Sequence, residues 1–136
     1  IGAMKKIQSQ STSNPCSISQ AAATAALDGD QACVGEMVKA FKERHDWLAD
    51  AMNKLPGVEC PYGAGTFYVF PSFQGAIDAT AGVSTDVEFA EKLLTEAGVA
   101  LVPGSAFGSP GHMRLSFATS MDNLRKAIER LQKALG

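Results

Sequence analysis

Residues 99–120 read VALVPGSAFGSPGHMRLSFATS, and Arg114 is their single lysine or arginine. No other basic side chain of these two kinds occurs between Lys92 and Arg125. A guanidinium offers two parallel N–H donors that match the two oxygens of a carboxylate, with more geometric control than lysine gives. The residues just before it, PGSAFGSPG, include three glycines and two prolines. Such a loop lets backbone come close to a ligand or another chain. Two readings stay open on these residues alone. Arg114 is a carboxylate receptor, or it is a surface arginine or half of a structural ion pair.

Other chemistry finds less support. Cys16, Cys33 and Cys60 are odd in number, widely spaced and form no CxxC pair. They suggest neither a zinc site nor a disulfide framework, and reduced thiols are expected. His45 and His112 have no cysteine or carboxylate at metal-ligand spacing, so no metal site is expected. His45 is expected to be packed in a core or interface rather than to act as an acid or base.

The chain has 136 residues, 46% of them hydrophobic, and a net charge of −2. That length suits one ordinary domain, and that apolar content is enough for a core. The lysines and arginines form no stripe, which argues against nucleic acid as a partner. No apolar run reaches the ~18–20 residues that cross a membrane. The opening IGAMKKIQSQ lacks the basic-then-apolar pattern of a secretory leader and reads as the middle of a longer chain. A cytoplasmic location is expected.

The elements that must position Arg114 follow from spacing. Residues 1–10 predict a helix end or a strand, and 9–15 a polar loop. Asn14-Pro15 predicts a helix start, followed by an alanine-rich helix that stops at Gly29. Asp30 caps a long helix over 31–55, with Val34, Met37, Phe41, His45, Leu48, Met52 and Leu55 on one face. Strands are predicted at 58–60, 66–71, 99–103 and 112–118, and a loop at 72–84. Thr85-Asp86-Val87-Glu88 matches a capping box that opens a helix over 86–97, with Gly98 as its stop. Ser120 caps a last helix striped by Met121, Leu124, Ile128, Leu131 and Leu135. The fold class expected is α+β, a small sheet packed with helices, with the long helix as a connector on the N-terminal side. Strand alternation puts Met113, Leu115 and Phe117 on one face and Arg114, Ser116 and Ala118 on the other.

Four segments in this order resemble the carboxyl-terminal part of fold-type I pyridoxal-phosphate aminotransferases, aspartate aminotransferases above all. They are QSTSNP (10–15), GAGTFYVFP (63–71), EFAEKLLTEAGVALVPGSAFG (88–108) and GHMRLSFA (111–118). The resemblance implies that Arg114 binds the α-carboxylate of an amino acid or 2-oxo acid substrate. It implies that Phe67 lies near the substrate pocket, although core packing is an alternative. Ser13 and Asn14 would sit in the loop that approaches the active site of a partner subunit in a homodimer, helix capping being the alternative. Residues 1–29 would end the large domain and carry the interface loop and helix. Residues 30–136 would be the small domain.

Two departures qualify the resemblance. No lysine here, Lys5 and Lys6 included, sits in the motif that carries pyridoxal phosphate in this family. The chain alone is therefore expected to hold no covalently bound cofactor and to be inactive, with no catalytic residue of its own. Some aspartate aminotransferases also place an arginine four residues before the loop serine, where it binds the substrate's side-chain carboxylate. Ser9 stands there, so either that group is bound elsewhere or the substrate is not a dicarboxylate. The competing class is a free-standing module that binds small carboxylates or pairs with itself, without catalysis.

Overall fold

The computed structural model describes residues 1–11 and 14–136. By its internal contacts the chain divides into Ile1–Met37 and Val38–Gly136. The first unit holds α1 (Gly2–Ser11), α2 (Ser17–Asp28) and the first residues of α3 (Ala32–Met52). The polar stretch expected as a loop from residue 9 is helical through Ser11. The second helix starts later than Asn14-Pro15 suggests, with Cys16 as its N-cap and Ser17 as its first residue. Proline fixes φ for a first helical turn but does not compel one, and here the turn begins two residues on. Gly29 ends α2. The Asp30 carboxylate then accepts from Ala32 N–H at 2.9 Å, so Asp30 caps α3. Neither α1 nor α2 buries a residue within its unit.

The second unit contains the core. Its sheet has three short strands, β1 (Tyr68–Val69), β2 (Val102–Pro103) and β3 (Met113–Ser116), in the order β1-β3-β2. Both pairings are antiparallel: Tyr68 lies opposite Ser116, and Val102 opposite Arg114. The expected strand 58–60 contributes only an isolated bridge, Glu59 to Ser72, and Ser72 bridges on to His112. The α+β class holds.

The helices cover one face of this sheet. Of the stripe expected on the long helix, His45, Leu48, Met52 and Leu55 are buried, while Val34 and Met37 are exposed. The expected loop after residue 72 contains a helix, α4 (Gln74–Ala79), which buries Ala76 and Ile77. Its six residues make fewer than two helical turns, too few for a recognisable apolar stripe, and glycine and the β-branched isoleucine lower its intrinsic propensity. Tertiary contact creates it: Ala76 N–H donates to Gly57 O at 3.1 Å. The backbones of Gly57 and Gly75 cross so closely that a Cβ on Gly57 would stand 2.4 Å from Ala76 N.

α5 (Asp86–Lys92) opens with the full capping box, Thr85 and Glu88 bonding each other's backbone. It runs into a single π turn, Leu93–Ala97, which Gly98 ends in the left-handed region at φ 64°. α6 (Met121–Leu135) is capped by Ser120 and buries Leu124, Ile128 and Leu131. Phe73 and Phe89 meet at 6.0 Å between ring centroids at the centre of this packing. Cys60 is buried, and Asn53 brackets it, donating to its carbonyl at 2.9 Å and accepting from its N–H at 2.8 Å. Burial pushes the thiol from 9.0 up to about 11.

Phe73→Ala should destabilise the fold by about 3–5 kcal/mol, read as a lower denaturant midpoint, because a fully buried ring leaves a cavity. Cys60 should resist alkylation in the native protein at pH 8 and react once denatured. Its thiol pKa is higher folded than unfolded, so its contribution is complete below pH 9 and lost as pH rises toward 11. A melting midpoint that held constant across that window, with Cys60 freely alkylated, would contradict both statements.

Candidate functional site

The site is built on the two faces of β3. Met113, Leu115 and Phe117 are buried against the helices. Arg114, half-buried, and Ser116, exposed, point the other way, as alternation requires. By register, Tyr68 lies opposite Ser116 and Val102 opposite Arg114, so neither direct partner carries a charge. Among the described residues no ion pair includes Arg114. The structural ion-pair reading thus finds no partner. Instead, the guanidinium carbon lies 4.6 Å from the centre of the Phe107 ring and 5.5 Å from that of Tyr68.

The glycine-rich loop delivers Phe107. Pro103 leads into one 3-10 turn, Gly104–Phe107, and Gly108 closes it at φ 76°. Gly104 N–H donates to His112 O at 2.7 Å, and a Cβ at Gly104 would fall 2.2 Å from Ser109 O. Only glycine fits there. Ser105 N–H donates to the Asp86 carboxylate at 2.7 Å. Asp86 is buried at the start of α5, so a charge in the helix's first turn, favoured by its dipole, also anchors the loop. Sequence reasoning saw Asp86 only as part of a capping box, and its tie to a loop 19 residues away leaves no local signal. Phe107 packs edge-on against Phe70 at 6.0 Å, and Phe70 stacks on His112 at 5.3 Å. By sequence Tyr68 and Phe70 count as strand formers and Phe107 as part of the glycine-rich loop, none of them as a neighbour of the arginine.

Phe67 is 55% exposed, just before β1. Its carbonyl accepts from Phe117 N–H at 2.9 Å, and its ring meets Tyr68 edge-on at 5.5 Å. It lies along a groove of about 860 Å³ lined also by Phe41, His45, Gly63 and Phe117. Tyr68 therefore touches both Phe67 and Arg114, whereas no contact of this kind joins those two directly among the described residues. Asn14 is exposed in a bend of the first unit, and Ser13 lies outside the described residues.

His45 is packed, edge-on to Phe117 at 5.6 Å. Gly63 N–H donates to its Nε2 at 3.1 Å, and its Nδ1 lies 2.9 Å from an Asp46 oxygen. In that arrangement Nδ1 carries the proton and Nε2 accepts. Hydrogen bonds from Lys42 and then His45 hold the Asp46 carboxyl below the usual range. Tyr62 O–H donates to Asp50, whose carboxylate pushes the phenol pKa up. Among the described residues no cluster of histidine, cysteine and carboxylate could hold a metal ion. No described helix is long and apolar enough to cross a membrane.

The profile of the family described as aminotransferase class I and II matches residues 1–131. The chain belongs to this family. An aspartate/prephenate aminotransferase of Nitrosomonas europaea is 51% identical, covering 99% of this chain and 35% of that protein. An aspartate aminotransferase of Geobacillus stearothermophilus is 48% identical over 98% of this chain and 34% of its own length. The crystal structure of the Rhizobium meliloti aspartate aminotransferase superposes with a TM-score of 0.85 at 40% identity, over 98% of this chain and 34% of that one. That of the Thermus thermophilus aspartate aminotransferase with maleate gives 0.81, also at 40% identity over 98% and 34%. This aminotransferase-family chain spans about a third of the length of the curated relatives it matches.

Asp86→Ala should cost about 1–3 kcal/mol, because it strips the Ser105 N–H of its acceptor. The Ser105 amide should also exchange faster with solvent, and Asp86→Asn should recover much of both effects. Unchanged stability and unchanged exchange at Ser105 would show that the carboxylate does not anchor the loop.

Proposed function

We propose that this chain is the arginine-bearing part of a pyridoxal-phosphate-dependent aminotransferase of the aspartate/2-oxoglutarate type. Arg114 grips the α-carboxylate of the amino acid or 2-oxo acid substrate. The observation that carries this reading is an arginine on the outward face of a sheet, half-buried and without an acidic partner among the described residues. Family membership and the names of the relatives support the reaction class. Those names add prephenate to aspartate as a substrate to be tried.

No lysine here sits in the family's cofactor-bearing motif, so this reading places no seat for the cofactor among these residues. Lys5, Lys6, Lys39, Lys54 and Lys126 are exposed, and Lys42, Lys92 and Lys133 are ion-paired on helix surfaces. Pyridoxal phosphate is then held by other parts of the whole protein. What Arg114 supplies is orientation: a bidentate contact fixes the carboxylate and hence the direction of the substrate's Cα bonds.

The same reading assigns residues 1–29 to the end of the large domain and its interface, and 30–136 to the small domain. Exposed Met4, Ile7, Ile18 and Leu27 on α1 and α2 support a covered position for these helices in a homodimer. Ser13 and Asn14 then approach the partner subunit's active site, and Phe67 borders the substrate pocket. A cytoplasmic location belongs to this reading too. Ser9 donates to Lys6 O at 2.8 Å within α1, so the residue where some relatives carry arginine has no charge to offer a second carboxylate.

In the full-length protein, Arg114→Ala should weaken aspartate and 2-oxoglutarate binding by roughly 30- to 5,000-fold, the span of losing one side of a buried charged pair. Arg114→Lys should recover only part, because it lacks the fork. Affinity unchanged in the alanine variant would overturn the reading.

A further inference from the structure

Arginine reaches out on a long, flexible stem, and a receptor arginine must be held before its ligand arrives. Proteins often do this with a carboxylate, but such a partner occupies the N–H fork and neutralises the charge. Among the described residues Arg114 has no such partner. Two aromatic rings lie by its guanidinium instead, Phe107 at 4.6 Å and Tyr68 at 5.5 Å, both within the ~6 Å reach of a cation–π contact. They come from separate elements, β1 and the loop after β2. Each ring is itself held. Tyr68 lies in the sheet and meets Phe67 edge-on, while Phe107 leans on Phe70, in a loop tied down by Asp86.

We propose that Tyr68 and Phe107 are positioning residues that fix the Arg114 guanidinium through their ring faces and leave its N–H fork free for a carboxylate. The attraction runs through the π-cloud, so it consumes no hydrogen-bond donor and leaves the full positive charge in place. Ring character matters, and the Tyr68 hydroxyl does not. This inference rests on the proposed role of Arg114, so the experiment separates the two.

Maleate is the probe, titrated calorimetrically into the full-length protein and its variants. Phe107→Leu and Tyr68→Leu should each weaken maleate binding about two- to fivefold, and the pair together roughly tenfold, the scale of cation–π contacts near a surface. Phe107→Tyr and Tyr68→Phe keep the rings and should stay within about twofold of the parent, whereas the leucine variants keep apolar bulk and lose only the π-face, so a merely packing role would leave their binding near the parent's as well. Arg114→Ala should lose far more than either leucine variant. If Arg114→Ala binds maleate like the parent, the carboxylate role fails and the positioning role with it. If Arg114→Ala loses binding while both leucine variants keep it, the positioning role alone is overturned. Ring-preserving variants as weak as the leucine ones would overturn it as well. Should Tyr68→Leu fail to fold, Phe107→Leu decides, since Phe107 is about half exposed and lies nearer the guanidinium.

Discussion

A four-residue strand with one side in the core and the other turned outward organises the second unit of this chain. β3 lies between β1 and β2, so its register is held from both edges. Met113, Leu115 and Phe117 are buried beneath it, and Leu48, Phe89, Leu124 and Leu131 belong to the same apolar cluster. A slip of one residue would bury Arg114 and expose Leu115. A charged guanidinium without a partner is expensive in such a core, and this makes the register self-enforcing. The position of the arginine is therefore a consequence of hydrophobic packing on the face it avoids.

Around that strand the structure places its irregular parts where backbones must meet. Gly57 and Gly75 allow α4 to lie on the turn after α3, and Gly104 allows the loop before β3 to fold back on His112 and Ser109. Regular hydrogen-bonded strand is scarce, because Glu59 and Ser72 contribute isolated bridges only. Side-chain packing and loop-to-backbone bonds carry what a wider sheet would otherwise provide. The helices α3, α5 and α6 add Leu48, Met52, Phe89, Leu124, Ile128 and Leu131 to the apolar cluster, and the turns, α4 and the strands add others.

What could be read beforehand was whatever depends on local pattern. The Thr85–Glu88 box, the Ser120 cap, the Gly98 stop and the two faces of residues 113–118 follow from short-range chemistry and periodicity, and they stand as expected. The ordered segments likewise pointed to the aminotransferase family. α4 was missed because its six residues gain stability from the Gly57 turn and not from their own sequence. The strands at 66–71 and 99–103 shrink to two residues each, since β-propensity does not guarantee an edge to pair with. At the site, Arg114 was legible as an exception in charge. Its aromatic surroundings were not, because Tyr68, Phe107 and Arg114 are joined only by the topology of the sheet.

The bond between Asp86 and residue 105 carries a further implication. The carboxylate recognises a main-chain N–H, not the serine hydroxyl. Substitution at 105 is thus nearly free as far as this bond is concerned, proline excepted, since proline alone lacks the donor. Substitution at 86 is not free, because a buried acceptor of the right length is required there. Over evolutionary time the two ends of one contact should drift at very different rates, and position 86 should hold its residue type while position 105 wanders.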